Sequence, residues 1–304
     1  MSLRYKFQNS PVLVLFARDN CKGVTTNQLS SPPYYMKKIF LVGAPRSGTT
    51  ILQSLLAAHP KITSFPETKF FHYLWADRLK SRLPDRLHRW FHQEISRPDL
   101  YNESEIYSRQ LTSDRIKWFV GVLDRLAIEE GNQSWLEKTP EHIYFIRDIL
   151  NYLPDAKFIH LVRNPLDVVA SMRKATSDPL NNILWGGEWT LEFCVERWKS
   201  AALISYCLRG SPQHLVVRYE DLLADKIRFL SQCCFFIDVA YDVEMLRNYR
   251  VKAVKLGLGL PWHEGIDRPI KPAAVAKYKE FLSVDEVQYI LGQTAELRSQ
   301  FGYE

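Results

Sequence analysis

Between Lys37 and Thr50 the chain reads KKIFLVGAPRSGTT, a stretch that few folds can accommodate. Ile39, Phe40, Leu41 and Val42 form a short apolar run of the kind a parallel strand shows when both of its faces are covered. Gly43 marks a turn. Gly48, Thr49 and Thr50 then lead into an apolar periodicity, Ile51, Leu52, Leu55 and Leu56, that predicts a helix. A strand that breaks through a glycine loop into a helix aims the amides of Ser47 to Thr50 at whatever sits above the strand's end. Unpaired N–H groups and the positive end of the helix dipole both favour a phosphate or sulfate there.

The spacing of Gly43 and Gly48 matches the phosphate-binding loop of nucleoside-triphosphate enzymes, with an informative departure. Where that motif carries lysine followed by serine or threonine, this loop carries Thr49 and Thr50, and its cation has moved into the loop as Arg46. The motif's lysine reaches the β- and γ-phosphates and the next hydroxyl holds magnesium. A guanidinium fork suits a planar set of anionic oxygens instead. The expected ligand therefore carries a shorter 5′ anionic group and needs no obligatory metal. A small-molecule kinase stays open as the alternative.

A second stretch, FIHLVRNPLDVVAS from Phe158 to Ser171, is another apolar strand ending in Arg163, with Pro165 at a helix start and Ser171 two turns on. Proline fits the first helical turn, and an arginine at the carboxyl edge of one parallel strand lies near a loop at the same edge. Together, PRSGTT and R-x-P-x-D-x-x-x-S resemble the cofactor motifs of the sulfotransferases, locally those of the protein-tyrosine sulfotransferases, from residue 37 to about 222. The resemblance implies a donor, 3′-phosphoadenosine 5′-phosphosulfate (PAPS). Arg46, Ser47, Gly48, Thr49 and Thr50 would cradle its phosphosulfate, with Arg163 and Ser171 on its 3′-phosphate. A non-catalytic binder of PAPS, or of its product PAP, is the other open alternative.

The same resemblance suggests the remaining machinery. Glu67 follows Arg46 by 21 residues, the distance at which tyrosine-protein enzymes carry their base, and a carboxylate near several cations stays ionised and able to take a hydroxyl's proton. His72, one turn further on, is the rival base, though a helix-surface position is expected for it. Lys138, in SWLEKTP, is expected to stabilise charge on the leaving phosphate oxygen. Lys271, in Ile270-Lys271-Pro272, resembles a lysine that reaches the nucleotide's phosphate. Trp185, Gly186, Gly187 and Trp189 read as a loop able to cover a ligand, Asp221 as the cap of the helix after a strand at His214 to Tyr219, and Ser283 as the cap of a final helix.

The expected architecture is α/β, three layers with a central parallel sheet and one phosphate-loop-like strand-loop-helix. Residues 1–36 form a leader, 37–304 a single domain, and 76–130 a helical cap inserted into it. A helix over 141–152 would return the chain to the second motif's strand. The balance of 40 basic and 34 acidic residues gives +6, which suits anionic ligands but is spread too evenly for a nucleic-acid partner. The five cysteines show neither metal spacing nor a paired framework, so reduced thiols and a cytoplasmic location are expected. The apolar run from Val12 to Ala17 is too short for a membrane anchor. The acceptor, whether small molecule, peptide or sugar, is not specified by any motif.

Overall fold

The computed structural model describes residues 35–303 apart from 77–78, 110, 180–181, 183–184 and 257–276. Lys271, the run from Val12 to Ala17 and the leader up to residue 34 lie outside the described residues. Among the described residues, five parallel strands form one sheet in the order β2-β3-β1-β4-β5. They are β1 (Lys37–Gly43), β2 (Thr63–Ser64), β3 (Ser134–Lys138), β4 (Lys157–Val162) and β5 (His214–Arg218). Strand β1 sits between β3 and β4, with Leu41 opposite Lys138 on one side and Ile159 on the other. The chain thus leaves β1 toward one edge of the sheet and later toward the other, which opens a crevice at the carboxyl ends beside β1.

The apolar run of β1 explains its central place. Phe40 and Val42 face an aromatic-rich core with Phe71, Trp90, Phe119 and Trp135, whereas Ile39 and Leu41 face a second core with Leu52, Leu55 and Leu56. Period-two alternation between two cores makes both faces apolar, so the sheet is buried on each side by helices. Helix Thr49–Ala57 covers one face; helices Pro165–Ser177 and Leu191–Leu208 contact each other and cover the opposite one. Between β2 and β3 the described chain is helical, and its Trp90 and Phe91 are fully buried in the aromatic core.

Two local expectations change. The return from β3 opens as a 3-10 turn, Pro140–Phe145, and is α-helical only over Ile146–Tyr152; β3 and β4 are not neighbours but flank β1. Asp221 is not a cap: helix Tyr219–Ala224 has Arg218 at its N-cap, and Asp221 lies in its first turn, 3.1 Å from Arg218 Nη2. The capping carboxylate is Asp225, which accepts from the Arg228 amide at the start of helix Lys226–Phe236. Cys233 and Cys234 are buried filler in that helix, and Ser283 caps helix Val284–Gln300 through a capping box with Glu286.

At the β4–β5 side of the sheet, His160 Nε2 lies 3.0 Å from His214 Nδ1, and His160 Nδ1 lies 3.1 Å from Ser205 Oγ. Burial pushes the His214 imidazole down to about 4 and holds His160 well below its ordinary value, the neighbouring His214 adding to it. Both rings are neutral in the folded protein while the unfolded chain takes up protons near pH 6.5, so acid favours unfolding. Lowering the pH from about 7 to 5 is expected to cost about 2 kcal/mol of stability for each such imidazole. Urea midpoints measured at the two pH values check this; equal midpoints would remove the pair as a determinant.

Candidate active site

The site is built where β1, β3 and β4 end. The chain leaves β1 through Gly43, whose extended backbone passes so close to β4 that a Cβ there would stand 2.5 Å from the Leu161 carbonyl oxygen. The loop then turns through two left-handed residues, Arg46 at φ 69° and Gly48 at φ 96°. Such alternation folds backbone N–H groups toward one side and makes a concave anion cradle. Ser47 departs from expectation, because its amide donates to the Ala44 carbonyl at 3.2 Å and closes the turn. The amides of Thr49 and Thr50, in the first helical turn, are the ones helix geometry leaves without an intrahelical acceptor. A methyl at Gly48 would lie 2.6 Å from Cδ2 and Cε2 of Tyr219. Gly48→Ala is therefore expected to lose about 1–2 kcal/mol from the left-handed backbone alone and to push Tyr219 off the loop. A thermal midpoint equal to wild type would contradict that reading.

Arg46 Nε donates to Ser171 Oγ at 3.1 Å, so the loop of the first motif touches the serine of the second although 125 residues separate them. Burial pushes Arg46 down to about 10, with the nearby Arg163 cation adding and Glu67 opposing. At neutral pH the guanidinium keeps its proton. Two like charges gathered at one sheet edge are tolerable where an anion belongs between them.

Arg163 follows the last residue of β4 and is held on several sides. Its carbonyl accepts from Trp198 Nε1 at 2.9 Å, its guanidinium stands 4.6 Å from the centre of the Tyr219 ring, and Nη2 lies 3.8 Å from Asp167 Oδ2. Glu220 Oε1 accepts the amide of Asn164 at 3.0 Å while Oε2 takes the Tyr303 hydroxyl at 2.7 Å. Asn164 in turn caps helix Pro165–Ser177, which presents Ser171. The RYEDL stretch thus supplies two residues, Tyr219 and Glu220, that fix the second motif.

Lys138, the final residue of β3, is fully buried and donates to Glu67 Oε1 and, at 3.4 Å, to Thr50 Oγ1. Lys69 Nζ lies 3.7 Å from the other Glu67 oxygen. One lysine therefore joins the carboxylate after β2 to the hydroxyl of the phosphate loop. Next to it, Glu137 is buried and accepts from Thr68 N, Thr68 Oγ1 and Thr139 Oγ1 at 3.2, 2.8 and 2.6 Å, with His142 Nδ1 2.8 Å from its second oxygen. Burial alone would raise the Glu137 carboxyl, but His142 and these hydroxyls hold it below its ordinary value.

His72 is not on a helix surface. It is half-buried, with its ring 6.0 Å from that of Phe145, and burial pushes it down to about 4, near Glu141, His142 and Arg197. Trp189 is anchored, its amide on Thr176 Oγ1 at 3.2 Å and its ring 5.2 Å from the Arg197 guanidinium. Arg46, Ser47, Gly48, Thr49, Thr50, Glu67, Lys138, Arg163 and Ser171 all come to the carboxyl side of the sheet. Arg86 carried no motif that singled it out, whereas Tyr219 and Glu220 belong to the stretch RYEDL, whose expected part was structural.

Comparison with known proteins follows the same outline. The model of the sulfotransferase family matches residues 38–243. The chain is 25% identical to protein-tyrosine sulfotransferase 1 of Danio rerio over 293 residues, covering 92% of this chain and 77% of that one. It is 24% identical to protein-tyrosine sulfotransferase 2 of Gallus gallus over 278 residues, 88% of this chain and 70% of the relative. Among solved structures, the sulfotransferase domain from the curacin biosynthetic pathway superposes with a TM-score of 0.61 at 21% identity, covering 88% of this chain and 98% of the domain. A mouse sulfotransferase complexed with PAP superposes with a TM-score of 0.50 at 15% identity, covering 86% and 84%. With its phosphate loop, its Arg163–Ser171 pair and a family match spanning 38–243, this chain belongs to the sulfotransferase family.

Proposed function

We propose that this protein transfers a sulfuryl group from PAPS to an acceptor hydroxyl, with Glu67 as base and Arg46 and Lys138 as electrostatic stabilisers. The observation that carries the reading is the convergence of Arg46, Lys138 and Arg163 at the carboxyl ends of three adjacent parallel strands, β1, β3 and β4, around a loop shaped for an anion. The residues fit PAPS: the left-handed turn at Arg46 and Gly48 leaves a concave backbone, Ser47 Oγ is a buried hydroxyl without a hydrogen-bond partner among the described residues, and two guanidiniums crowd together. The loop of Arg46 to Thr50 would hold the 5′-phosphosulfate, Arg163 and Ser171 the 3′-phosphate, and Tyr219 would flank the nucleotide. Lys271 is proposed as a further phosphate contact from its sequence alone.

PAPS supplies an activated sulfuryl group whose bond to the 5′-phosphate oxygen is the one broken. Glu67 takes the acceptor hydroxyl's proton as the acceptor oxygen bonds to sulfur. Lys138 would supply an ammonium to stabilise negative charge on the phosphate oxygen that leaves, and Arg46 would share that load on the sulfuryl oxygens. His72 is the weaker candidate for the base, because Lys138 joins Glu67 to Thr50 of the loop whereas His72 sits against Phe145.

The test is calorimetric binding of PAP beside AMP and ATP, without added magnesium, in wild type and in Arg163→Ala. PAP is expected to bind in preference to AMP, and Arg163→Ala to lose about 10–100-fold in PAP affinity, the size of a charge-assisted hydrogen-bonded contact. Preference for ATP, or binding that appears only with magnesium, would overturn the reading in favour of a kinase. Acceptors are then sought by sulfuryl transfer from PAPS to a tyrosyl peptide and to small phenols and sugars.

A further inference from the structure

The segment Pro66-Glu67-Thr68 has no regular secondary structure, yet each of its three carbonyls is taken by a side chain from the helical stretch between β2 and β3. Trp90 Nε1 donates to the Pro66 carbonyl at 3.2 Å. Arg86 Nη2 donates to the Glu67 carbonyl, and Arg86 Nε to that of Thr68 at 3.1 Å. The Arg86 side chain is only 7% exposed, and its guanidinium is held from behind by Glu94, which accepts from both Nη1 and Nη2. Such a fork, planar and bound at all three nitrogens, has one orientation available to it.

The local helix geometry explains how three residues spaced by four can serve one face. Helix Leu83–Arg89 passes into a π-turn over Trp90–Glu94. In an α-turn the side chain four positions on runs slightly ahead of the first, and in the wider π-turn it falls slightly behind, so Arg86, Trp90 and Glu94 are brought back into line. On the opposite side of the same segment, Glu137 binds the Thr68 amide and hydroxyl, and Thr139 Oγ1 accepts the Lys69 amide at 3.1 Å. Lys69 is held at φ 54°, a left-handed conformation that a non-glycine residue keeps only when its surroundings over-determine it.

We propose that Arg86, braced by Glu94, is the positioning residue for Glu67: it fixes the backbone from which the carboxylate reaches Lys138 and the acceptor. The inference rests on the proposed role of Glu67 as base. Arg86 touches neither donor nor acceptor in this scheme. Its contribution lies in denying the Glu67 backbone the displacements that would carry the carboxylate out of line.

The test uses the full chain and compares Arg86→Gln, Glu67→Gln and the double variant. PAP affinity is read by calorimetry, and kcat and KM are read both in transfer from PAPS to a tyrosyl peptide and in acceptor-free hydrolysis of PAPS. Arg86→Gln is expected to lower kcat about 10–100-fold, the cost of a misplacement on the order of 1 Å, with little change in KM for PAPS or in PAP affinity. Added to Glu67→Gln it is expected to cost less than about twofold more, because a base already removed cannot be misplaced. An unchanged kcat in Arg86→Gln, or the same loss in both backgrounds, would overturn the proposal. Should Arg86→Gln not fold, Glu94→Gln, which removes the brace from a partly exposed position, is expected to give the same pattern at smaller amplitude, and unchanged kcat there counts against the proposal equally. Normal turnover in Glu67→Gln would overturn the base assignment itself, whereas a slow Glu67→Gln beside a normal Arg86→Gln would overturn the positioning role alone.

Discussion

Arg46→Ala is expected to lower kcat by about 10²–10³-fold, the cost of removing one preorganised donor from a charge-stabilising site. The guanidinium is set by a left-handed backbone, a bond to Ser171 and the nearby charges of Arg163 and Glu67. It is therefore fixed before the reaction begins and pays no reorganisation as charge builds on the transferring oxygens. PAP lacks the sulfuryl group, so PAP affinity should fall far less than turnover. Arg46→Lys is expected to recover little, since a point charge on a flexible stem cannot present two parallel N–H groups to a planar set of oxygens. Single-turnover transfer from PAPS, measured beside PAP calorimetry, separates the two effects. A variant that loses affinity and rate in equal proportion would make Arg46 a binding residue only.

Glu67→Gln is expected to cut turnover by about 10²–10⁴-fold while leaving PAP affinity intact. The amide keeps the carboxylate's shape and an oxygen able to accept from Lys138, so the packing of the 66–69 segment is preserved. What is lost is the capacity to accept a proton. Turnover equal to wild type would return the role to His72 or to the acceptor's own ionisation.

The two motifs could be read in one dimension because each is a strand followed directly by a turn into a helix. Apolar runs, glycines, a proline at a first helical turn and the arginines at strand ends are local properties, and they placed Arg46, Ser47, Gly48, Thr49, Thr50, Arg163 and Ser171 on one edge of a parallel sheet. Local pattern was weaker where two chemistries compete for one residue type. Asp221 looked like a cap because acidic residues favour helix starts, but the helix begins earlier, at Tyr219, and the capping geometry falls to Asp225. His72 is expected on a helix surface, and in the fold it is half-buried with its ring 6.0 Å from that of Phe145.

By itself the sequence determined the fold class, the phosphate-loop strand and the family, since these depend on contiguous residues whose backbone preferences and burial are set within a few turns. Only the tertiary structure decided that β1 lies between β3 and β4, that Lys138 joins Glu67 to Thr50, that Tyr219 lies against Gly48, and that Arg86 grips the carbonyls of Glu67 and Thr68. These contacts join residues far apart in the chain, and their partners are largely backbone groups, which every residue carries and no side-chain pattern announces.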